Sequence, residues 1–529
     1  MRLWTKSLLI FNSLGENAPQ SIRHLARQTE IPKSSVHRLK QAMARRDCHP
    51  ESWLWETEDG RRWLTRLVVA ALYTFGFKRG VGLETISEFF THLRLTTQVG
   101  CSPSALRGVM AVLEAAMLET TAAWEHDGVA AGEMREISGA VDETFLQRMM
   151  LGFIDLVSGY LLFEEVAEDR TYATWHTLVE ARLKTLRTEV VSLVSDRAKA
   201  LIKLAETGLG CLRIPDVFHL IHALVKSYSL AIAGRLRQAR QALEQAQECL
   251  SPCQASSPRG ADVQQAQALV EASATQVKHW ENVDSASRHH LERVSLLVHP
   301  WCLVDSTPHR SAEVERQLHA EIDAIEALIA THGLPVKKKA VDKVRKQLCG
   351  VSALVDLWWQ GVRHDVQHMA LTPMGKRWVE EVVLPLLYWQ QQTARTRCPR
   401  RKTQMLQALQ AIHDAFETHP ITQQMAPNVL ADWKAWAAER ATTFQWASSA
   451  VEGRNGSLAQ RHHNHRGLPK RGCKVWTVLH NFDCCASDGT TPASRFFRRS
   501  FPDLFEAVVS QIDDLPRPRK RNQAMALSG

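Results

Sequence analysis

Several features that would fix a protein's environment are missing from this sequence of 529 residues. Its 11 cysteines form no Cys-x-x-Cys pair, so the ligand spacing of a structural zinc site is absent. No secretory signal is evident, and we expect reduced thiols, as in a cytosol. The longest apolar run, 63–77, is interrupted by Arg66 and is too short to span a bilayer. The sequence therefore predicts a cytoplasmic chain without a membrane role.

The composition is that of a soluble globular protein, with 45% hydrophobic and 23% charged residues. Its length predicts about three or four domains. The 65 Lys and Arg residues exceed the 56 Asp and Glu residues, for a net charge of +9. An excess of this sign favours a polyanionic partner, most commonly nucleic acid. Short basic runs, each ordinary as solvated surface, together suit a protein that contacts many phosphates, and they lie within 337–346, 395–402, 495–499 and 517–521.

Residues 21–45 predict two short helices joined by a tight turn at 30–32. Ser34 is expected to cap the second helix. This arrangement is typical of a helix-turn-helix that places its second helix in the major groove of DNA. Glu30 stands where a glycine is usual in the turn, and an ordinary helical hairpin is the alternative. The side chains expected to contact DNA are Lys33, Ser35, His37, Arg38 and Lys40.

Residues 81–114 repeat this pattern more weakly. A turn is expected at Val99-Gly100, followed by a helix capped by Ser102 or Ser104. A second DNA-binding unit would extend the length of the DNA site.

From residue 137 the hydrophobic pattern changes to that of strands. A β-rich run at 137–146 is followed by two apolar strands joined at Ser158-Gly159, which is a hairpin signal. A helix, a buried strand ending at Asp196, a further helix and a fifth strand ending at Pro215-Asp216 come next. The predicted order is three strands, helix, strand, helix, strand.

This order and its acidic residues resemble the DDE transposase and retroviral integrase superfamily, whose core is ribonuclease H-like. Asp142 in AVDETF matches the first acid of that superfamily, and Asp196 in LVSDRAKAL matches the second. The resemblance implies that the strands carrying them are neighbours in the sheet. Asp155 is interpreted as a strand or turn residue without a catalytic role.

Residues 448–468 resemble the third-acid helix of Mutator-like bacterial insertion-sequence transposases. By that resemblance Glu452 is the third acid, and Asn455 lies one turn away on the same helix face. Asp216 and His219 form a D-x-x-H pair that the same families carry after the fifth strand; a capped helix is the equally weighted alternative. On the third-acid helix, Arg454 and Arg461 are expected to contact DNA.

The resemblance implies a DNA transposase that cleaves and joins strands. Two Mg²⁺ or Mn²⁺ ions would be held by carboxylates, with Asp142 shared between them, Asp196 on one and Glu452 on the other. The implied partners are double-stranded DNA, as terminal inverted repeats and target, and a second copy of the chain in a homodimer; the implied location is nucleoid-associated in a bacterium. With only 5 tyrosines and no Arg/His/Tyr constellation, a covalent tyrosine recombinase is disfavoured.

The expected fold is an α/β ribonuclease H-like core with a large all-α insertion, preceded by helix-turn-helix domains and mostly helical overall. Ala- and Gln-rich helices on both sides of 251–260 predict a helical hairpin. Trp358, Trp359 and Trp446 are base-stacking candidates, with core packing favoured. The expected divisions are 1–50 (helix-turn-helix), 51–130 (second helical unit), 137–225 (first part of the core), 226–445 (insertion), 446–485 (third-acid helix) and 486–529 (basic tail).

Two other functions remain open from the sequence. A transposase-derived regulator without catalytic activity would use the same DNA-binding residues. A scaffold of repeated helices is the third possibility, and the strands predicted from residue 137 argue against it.

Overall fold

The computed structural model describes residues 21–46, 50–196, 198–255, 260–335, 338–369, 371–444, 449–465, 470–486, 489–512 and 514–518. The chain is mostly helical around a single five-stranded sheet in this described part, in agreement with the predicted composition of elements. None of the described helices combines the length and apolar character that crossing a bilayer requires.

The N-terminal described unit consists of α1 (Ile22–Thr29) and α2 (Lys33–Arg46). Between them Glu30 adopts a left-handed conformation with φ of 56°, so the tight turn forms without a glycine. The second helix starts at Lys33, and the Pro32 carbonyl accepts the first intrahelical bonds. The predicted cap at Ser34 is therefore wrong, because Ser34 lies inside the first turn. A small aliphatic core joins the helices through Leu25, Ile31, Val36 and Leu39.

Residues 50–130 form α3 (Glu58–Ala71), α4 (Leu83–His92) and α5 (Pro103–Ala130), with short 3₁₀ or π segments at Pro50–Glu56, Leu72–Lys78 and Leu95–Thr97. Ser102 caps α5, as predicted, by accepting a bond of 3.3 Å from the Ala105 amide. The buried side chains of this region, such as Phe90 and Leu113, share one hydrophobic core with the sheet. The separate unit expected at 51–130 is thus packed against the sheet rather than isolated from it.

The sheet contains β1 (Arg135–Leu146), β2 (Arg148–Asp155), β3 (Leu161–Ala167), β4 (Thr188–Ser195) and β5 (Leu212–Pro215). Its spatial order is β3-β2-β1-β4-β5. The first three strands are antiparallel, whereas β4 runs parallel to both β1 and β5. Helix α6 (Tyr172–Leu186) precedes β4, and α7 (Lys199–Lys203), continued by a π segment at Leu204–Leu209, precedes β5. The structure confirms the predicted order of these elements.

Both faces of the sheet are covered, which is why its strands read as nearly continuous apolar runs. Val141 and Leu193 point into the core shared with the N-terminal helices. Ala140, Val194 and Ile214 point into a second core, formed with the aromatic residues of the insertion. Alternate residues of each strand therefore face different layers.

The insertion begins with α8 (Val217–Ala255) and α9 (Gly260–Leu297), which pack along each other as the predicted helical hairpin. Both helices extend into residues 251–260, the predicted tip of this hairpin. The remaining helices are α10 (Ser311–Thr331), α11 (Lys338–Arg345), α12 (Leu348–His368), α13 (Pro373–Trp378), α14 (Leu384–Arg395), α15 (Pro399–Thr418), α16 (Pro420–Gln424) and α17 (Pro427–Thr443), with a π segment at Val379–Val383.

Tryptophans fill the core between the insertion and the sheet. Trp358 and Trp359 are buried, and their indole N–H groups donate to Thr443 Oγ1 at 3.0 Å and to the Pro300 carbonyl at 3.2 Å. Core packing, the favoured interpretation, is confirmed for these two residues. Trp446 lies outside the described residues.

The C-terminal region contains α18 (Ser449–His465), α19 (Lys470–Phe482), α20 (Pro492–Phe497) and α21 (Leu504–Val509). Phe496 stacks on Tyr160 with ring centroids 4.4 Å apart. The Gly100 amide donates to the Pro516 carbonyl at 2.6 Å, so the chain remains attached to the N-terminal helices as far as that residue. The described part of the basic tail predicted at 486–529 thus packs on the rest of the chain, and 519–529 lie outside the described residues.

Candidate functional site at the carboxyl edge of the sheet

Two of the predicted acids belong to neighbouring parallel strands: Asp142 lies on β1, and Asp196 directly follows β4. Ala140 on β1 pairs with Val194 on β4, and Asp142 and Asp196 each follow two residues later. Because side chains alternate along a strand, both acids continue the face that carries Ala140 and Val194. Both carboxyl groups are half-buried, and because neighbouring strands are about 4.8 Å apart, this register brings them to the same edge of the sheet.

Hydrogen bonds orient both acidic residues. Asn455 donates from Nδ2 to Asp142 Oδ2 at 2.8 Å, across 313 positions of sequence. The Ala198 amide donates to Asp196 Oδ1 at 2.8 Å. Arg213 on β5 donates to the Asp196 backbone carbonyl at 3.3 Å, which holds the end of β4.

A further acidic residue, Asp216, directly follows the next strand, β5. Ile214 pairs with Val194, and Asp216 is again two residues farther along. Its buried carboxylate accepts a bond of 3.3 Å from the His219 amide and lies 3.0 Å from His219 Nδ1. The D-x-x-H pair is therefore a helix cap at the start of α8 that also fixes the orientation of the half-exposed imidazole. A contact between His219 and DNA stays a prediction.

Helix α18 brings the predicted third-acid segment to the sheet, where it packs against β1 and β2. Asn455 reaches Asp142 from this helix, as the predicted accessory role requires. Glu452 belongs to the same helix one turn earlier, and positions three apart share a helix face. The side chain of Glu452 lies outside the described residues, so its position as third acid stays a prediction.

Arg454 forms a buried ion pair that was not predicted from the sequence. Its Nε and Nη2 atoms donate to the two carboxylate oxygens of Glu164 on β3, both at 2.7 Å, and both side chains are buried. Thr477 adds a bond of 2.8 Å to the same carboxylate. Burial opposes ionisation of Glu164, yet the charge and hydrogen bonds of Arg454 lower its pKa below the ordinary value. A guanidinium held in this way cannot reach a phosphate, so the predicted DNA contact of Arg454 does not agree with the structure.

A further missed residue lies on α19. Asn481 donates to the Leu161 carbonyl and accepts from the Leu161 amide, both at 2.9 Å, and so pairs with the outer edge of β3. The sequence carried a partial signal for Glu164, because an acid interrupts the apolar run LLFEEV. No local pattern identified Asn481.

Arg461 lies two turns beyond Arg454 on α18. Its guanidinium carbon is 5.3 Å from the ring centroid of Trp476, which is a cation–π distance. Burial and the neighbouring charge of Arg454 lower the pKa of Arg461. Its buried Nη1 atom finds no hydrogen-bond partner among the residues that the structure describes. Contact with DNA therefore stays a prediction for Arg461.

The second helix of the helix-turn-helix presents the predicted DNA-contacting side chains. Lys33, His37 and Arg38 are exposed, whereas Ser35 and Lys40 are half-buried. Arg38 Nη2 lies 3.4 Å from Ser35 Oγ, so the two side chains share one face of α2. The geometry agrees with a recognition helix.

The acidic edge of the sheet offers oxygen ligands of the kind that a divalent metal ion requires. Mg²⁺ prefers oxygen ligands, and Asp142 and Asp196 offer them at adjacent positions. Among the described side chains no group of three or more His, Cys, Asp or Glu residues is placed to hold a metal ion. The two described acids thus fit part of the predicted ligand set, of which Glu452 is the remaining member.

Comparison with known families finds two matched regions. Residues 5–47 match the IclR helix-turn-helix domain, which confirms the predicted helix-turn-helix. Residues 379–524 match DUF6399, a family of unknown function. Neither match is to a ribonuclease H-like family. No curated protein matches the chain.

Proposed function

We propose that this protein is a DNA transposase, which binds element ends through its helix-turn-helix and cleaves and joins DNA at the acidic edge of its sheet. The helix-turn-helix itself indicates DNA binding. The observation that carries the catalytic proposal is that Asp142 on β1 and Asp196, directly after the adjacent parallel strand β4, each lie two residues beyond the paired Ala140 and Val194, with Asn455 bound to Asp142.

The sheet supports an assignment to the ribonuclease H-like fold. Three antiparallel strands are followed by two strands parallel to the first, in the order β3-β2-β1-β4-β5. In that fold the first strand carries an acid at its centre and the fourth strand ends in another. Here Asp142 lies on β1 and Asp196 directly follows β4, which supports the assignment.

In the proposed site, Asp142, Asp196 and Glu452 would hold Mg²⁺ or Mn²⁺. Two such ions, when bound, supply an activated water and stabilise the leaving oxygen of a phosphodiester. Asn455 restrains one oxygen of Asp142 by donating to it. The Arg454–Glu164 pair fixes α18 to β3, and thereby sets the position of Asn455. Because two element ends must be held together, the proposal includes a homodimer.

The test is cleavage of labelled duplexes that cover the DNA on either side of the coding sequence, with Mg²⁺ or Mn²⁺. We expect metal-dependent nicking by the native chain, lost in Asp142→Asn, Asp196→Asn and Glu452→Gln while DNA binding is retained. Glu168→Gln, which removes an exposed carboxylate just after β3, is the matched control and should cleave normally. Cleavage that survives Glu452→Gln would show that the third acid lies elsewhere.

A DNA-binding regulator without catalytic activity is the second candidate, because the helix-turn-helix match serves it equally well. The two functions are separated by changing Arg38 and Lys40 to Ala. In a transposase these changes weaken binding of the ends but leave metal-dependent nicking at high DNA concentration. A native chain that binds DNA and never nicks it, with either metal, would be the regulator.

A further inference from the structure

The insertion contains a long stretch without any acidic residue. From 382 to 413 the sequence has no Asp or Glu, although it contains five Lys or Arg residues. All five lie within 395–402, at the end of α14 and the beginning of α15. Another acid-free stretch, 453–482, contains six Lys or Arg residues, but there Arg454 is buried against Glu164; in 382–413 all five cations fall within eight positions.

The connection between α14 and α15 is only three residues long, and it brings these cations together at one end of the two helices. Four of them are exposed to solvent, and we call them the 395–402 patch: Arg395, Arg397, Arg400 and Lys402. The fifth cation, Arg401, is half-buried and donates from Nη1 to Ser295 Oγ at 2.6 Å. Arg401 therefore attaches the patch to the end of α9.

The positive charge of the patch is not neutralised locally. None of its four side chains forms an ion pair with any residue that the structure describes. Arg345, by comparison, contacts both Asp323 and Glu326. The amino terminus of the 20-residue helix α15 adds the positive end of its dipole at the same place.

The patch rests on a rigid base. Tyr388, Trp389 and Met405, on the same two helices, are almost completely buried in the core that also covers the sheet. Long cationic side chains on a fixed backbone can contact a regularly spaced polyanion with little ordering of the backbone. Such a surface fits the phosphates of a DNA duplex, which carry about one negative charge per 1.7 Å of helix axis.

We propose that the 395–402 patch is a second DNA-contacting surface, separate from the helix-turn-helix, which binds the phosphate backbone of double-stranded DNA without reading its sequence. The patch lies in the region that matches a family of unknown function, and this inference gives that region a role. The inference rests on the DNA-binding part of the proposed function and does not require cleavage.

The experiment measures how the affinity for DNA depends on salt, in the absence of divalent metal. The probe is a fluorescent duplex of about 40 base pairs and arbitrary sequence, titrated with the full chain at several NaCl concentrations. The test variant changes Arg395, Arg397, Arg400 and Lys402 together to Gln. The control variant removes the same charge from four exposed arginines that do form ion pairs, by changing Arg62, Arg240, Arg288 and Arg316 to Gln.

Each phosphate contact contributes about −0.9 to the slope of log K against log salt. We therefore expect the slope of the test variant to be less steep than that of the native chain by about 3 to 4, and that of the control to change by less than about 1. Equal slopes for the native chain and the test variant would overturn the proposal, as would an equal change in the control. Single variants Arg397→Gln and Arg400→Gln, each expected to change the slope by about 0.9, provide the same test if the quadruple variant folds poorly.

The failure of this inference is distinguishable from failure of the proposed enzyme. A slope change in a chain that never nicks DNA would support the patch and contradict the transposase. Preferential binding of the patch to single-stranded RNA or to an acidic protein, with no effect on duplex binding, would overturn it.

Discussion

Two basic regions of this chain, the helix-turn-helix at 21–46 and the C-terminal segment at 489–512, differ in how closely they pack against the rest of the protein. In the first, Lys33 and Arg38 of α2 remain exposed over a core of four aliphatic side chains. In the second, Arg495 donates from Nε to the Ser158 carbonyl at 2.9 Å, and its neighbouring phenylalanines are buried. Positive charge in the sequence therefore does not by itself distinguish a surface that can contact DNA from a segment that packs against the rest of the protein.

The difference lies in the apolar residues beside the cations. In its described part the helix-turn-helix buries four aliphatic side chains, which join its two helices. The C-terminal segment carries four phenylalanines within ten residues, at 496, 497, 501 and 505. Each of these rings offers a large apolar area that must be covered, and covering them brings Arg495 against the protein, whereas Arg498 and Arg499 stay exposed.

The largest effect is expected from removing one of these rings. Phe497→Ala would leave a cavity beside Gly128, where a Cβ atom would already lie only 2.5 Å from the Phe497 ring. Loss of a buried phenylalanine costs about 3 to 5 kcal/mol in the free energy of unfolding. Denaturant unfolding measures this change. Phe145→Ala, which removes a ring that is 72% exposed, is the control and should cost much less; equal losses would mean that the C-terminal segment is not packed as described.

A comparable loss is expected when the buried ion pair is broken from one side. Arg454→Met leaves the Glu164 carboxylate buried without its partner, at a cost of about 3 to 5 kcal/mol. The double change Arg454→Met with Glu164→Met should recover much of that loss, because no unpaired charge remains. Unfolding of both variants, compared with the native chain, checks the coupling; a double variant no more stable than the single one would contradict it.

A smaller effect concerns pH, through His480 on α19. Burial, reinforced by the charge of Arg454, lowers the pKa of His480 to about 4. The unfolded chain binds this proton near pH 6.5, whereas the folded chain does not until about pH 4, so stability falls as pH decreases through that window. We expect a loss of about 2 kcal/mol between pH 7 and pH 5. His480→Gln should reduce this loss, and an unchanged pH profile would show that another group is responsible.

The smallest expected effect is at the turn of the helix-turn-helix. Glu30 has a left-handed φ of 56°, which costs a residue with a Cβ atom about 1 kcal/mol relative to glycine. Glu30→Gly should stabilise residues 21–46 by about that amount, whereas Glu30→Ala should not. Amide hydrogen exchange of α1 and α2 measures this locally. Equal protection in the two variants would mean that the turn is not strained.

Much of the sheet could be predicted from the sequence because its signals are local. The short apolar runs, the Ser158-Gly159 turn and the acids at the ends of β4 and β5 all lie within a few residues of what they specify. The neighbouring positions of Asp142 and Asp196 followed from the resemblance to a known superfamily rather than from the local pattern.

The contacts that could not be predicted are those between distant segments. Glu164 and Arg454 are 290 residues apart, and an arginine on a helix beside Asn455 looks like any solvent-facing cation. Its burial depends on how α18 lies against β3, which no window of sequence contains. The packing of the C-terminal segment, by contrast, has a local signal in the sequence. Its four phenylalanines indicate burial, although the basic residues beside them suggest an exposed surface.

The long sequence separation between Asp142 and Asn455 also determines when their contact can form during synthesis of the chain. Ribosomes add about 5 to 20 residues per second, so the 313 positions between them correspond to roughly 15 to 60 s of synthesis. The helix-turn-helix, complete by residue 46, emerges long before the contact between Asn455 and Asp142 can form. During that interval the nascent chain carries a DNA-binding unit while the acidic edge of its sheet is unfinished. Each newly made molecule can therefore engage DNA close to its own place of synthesis before α18 has been made.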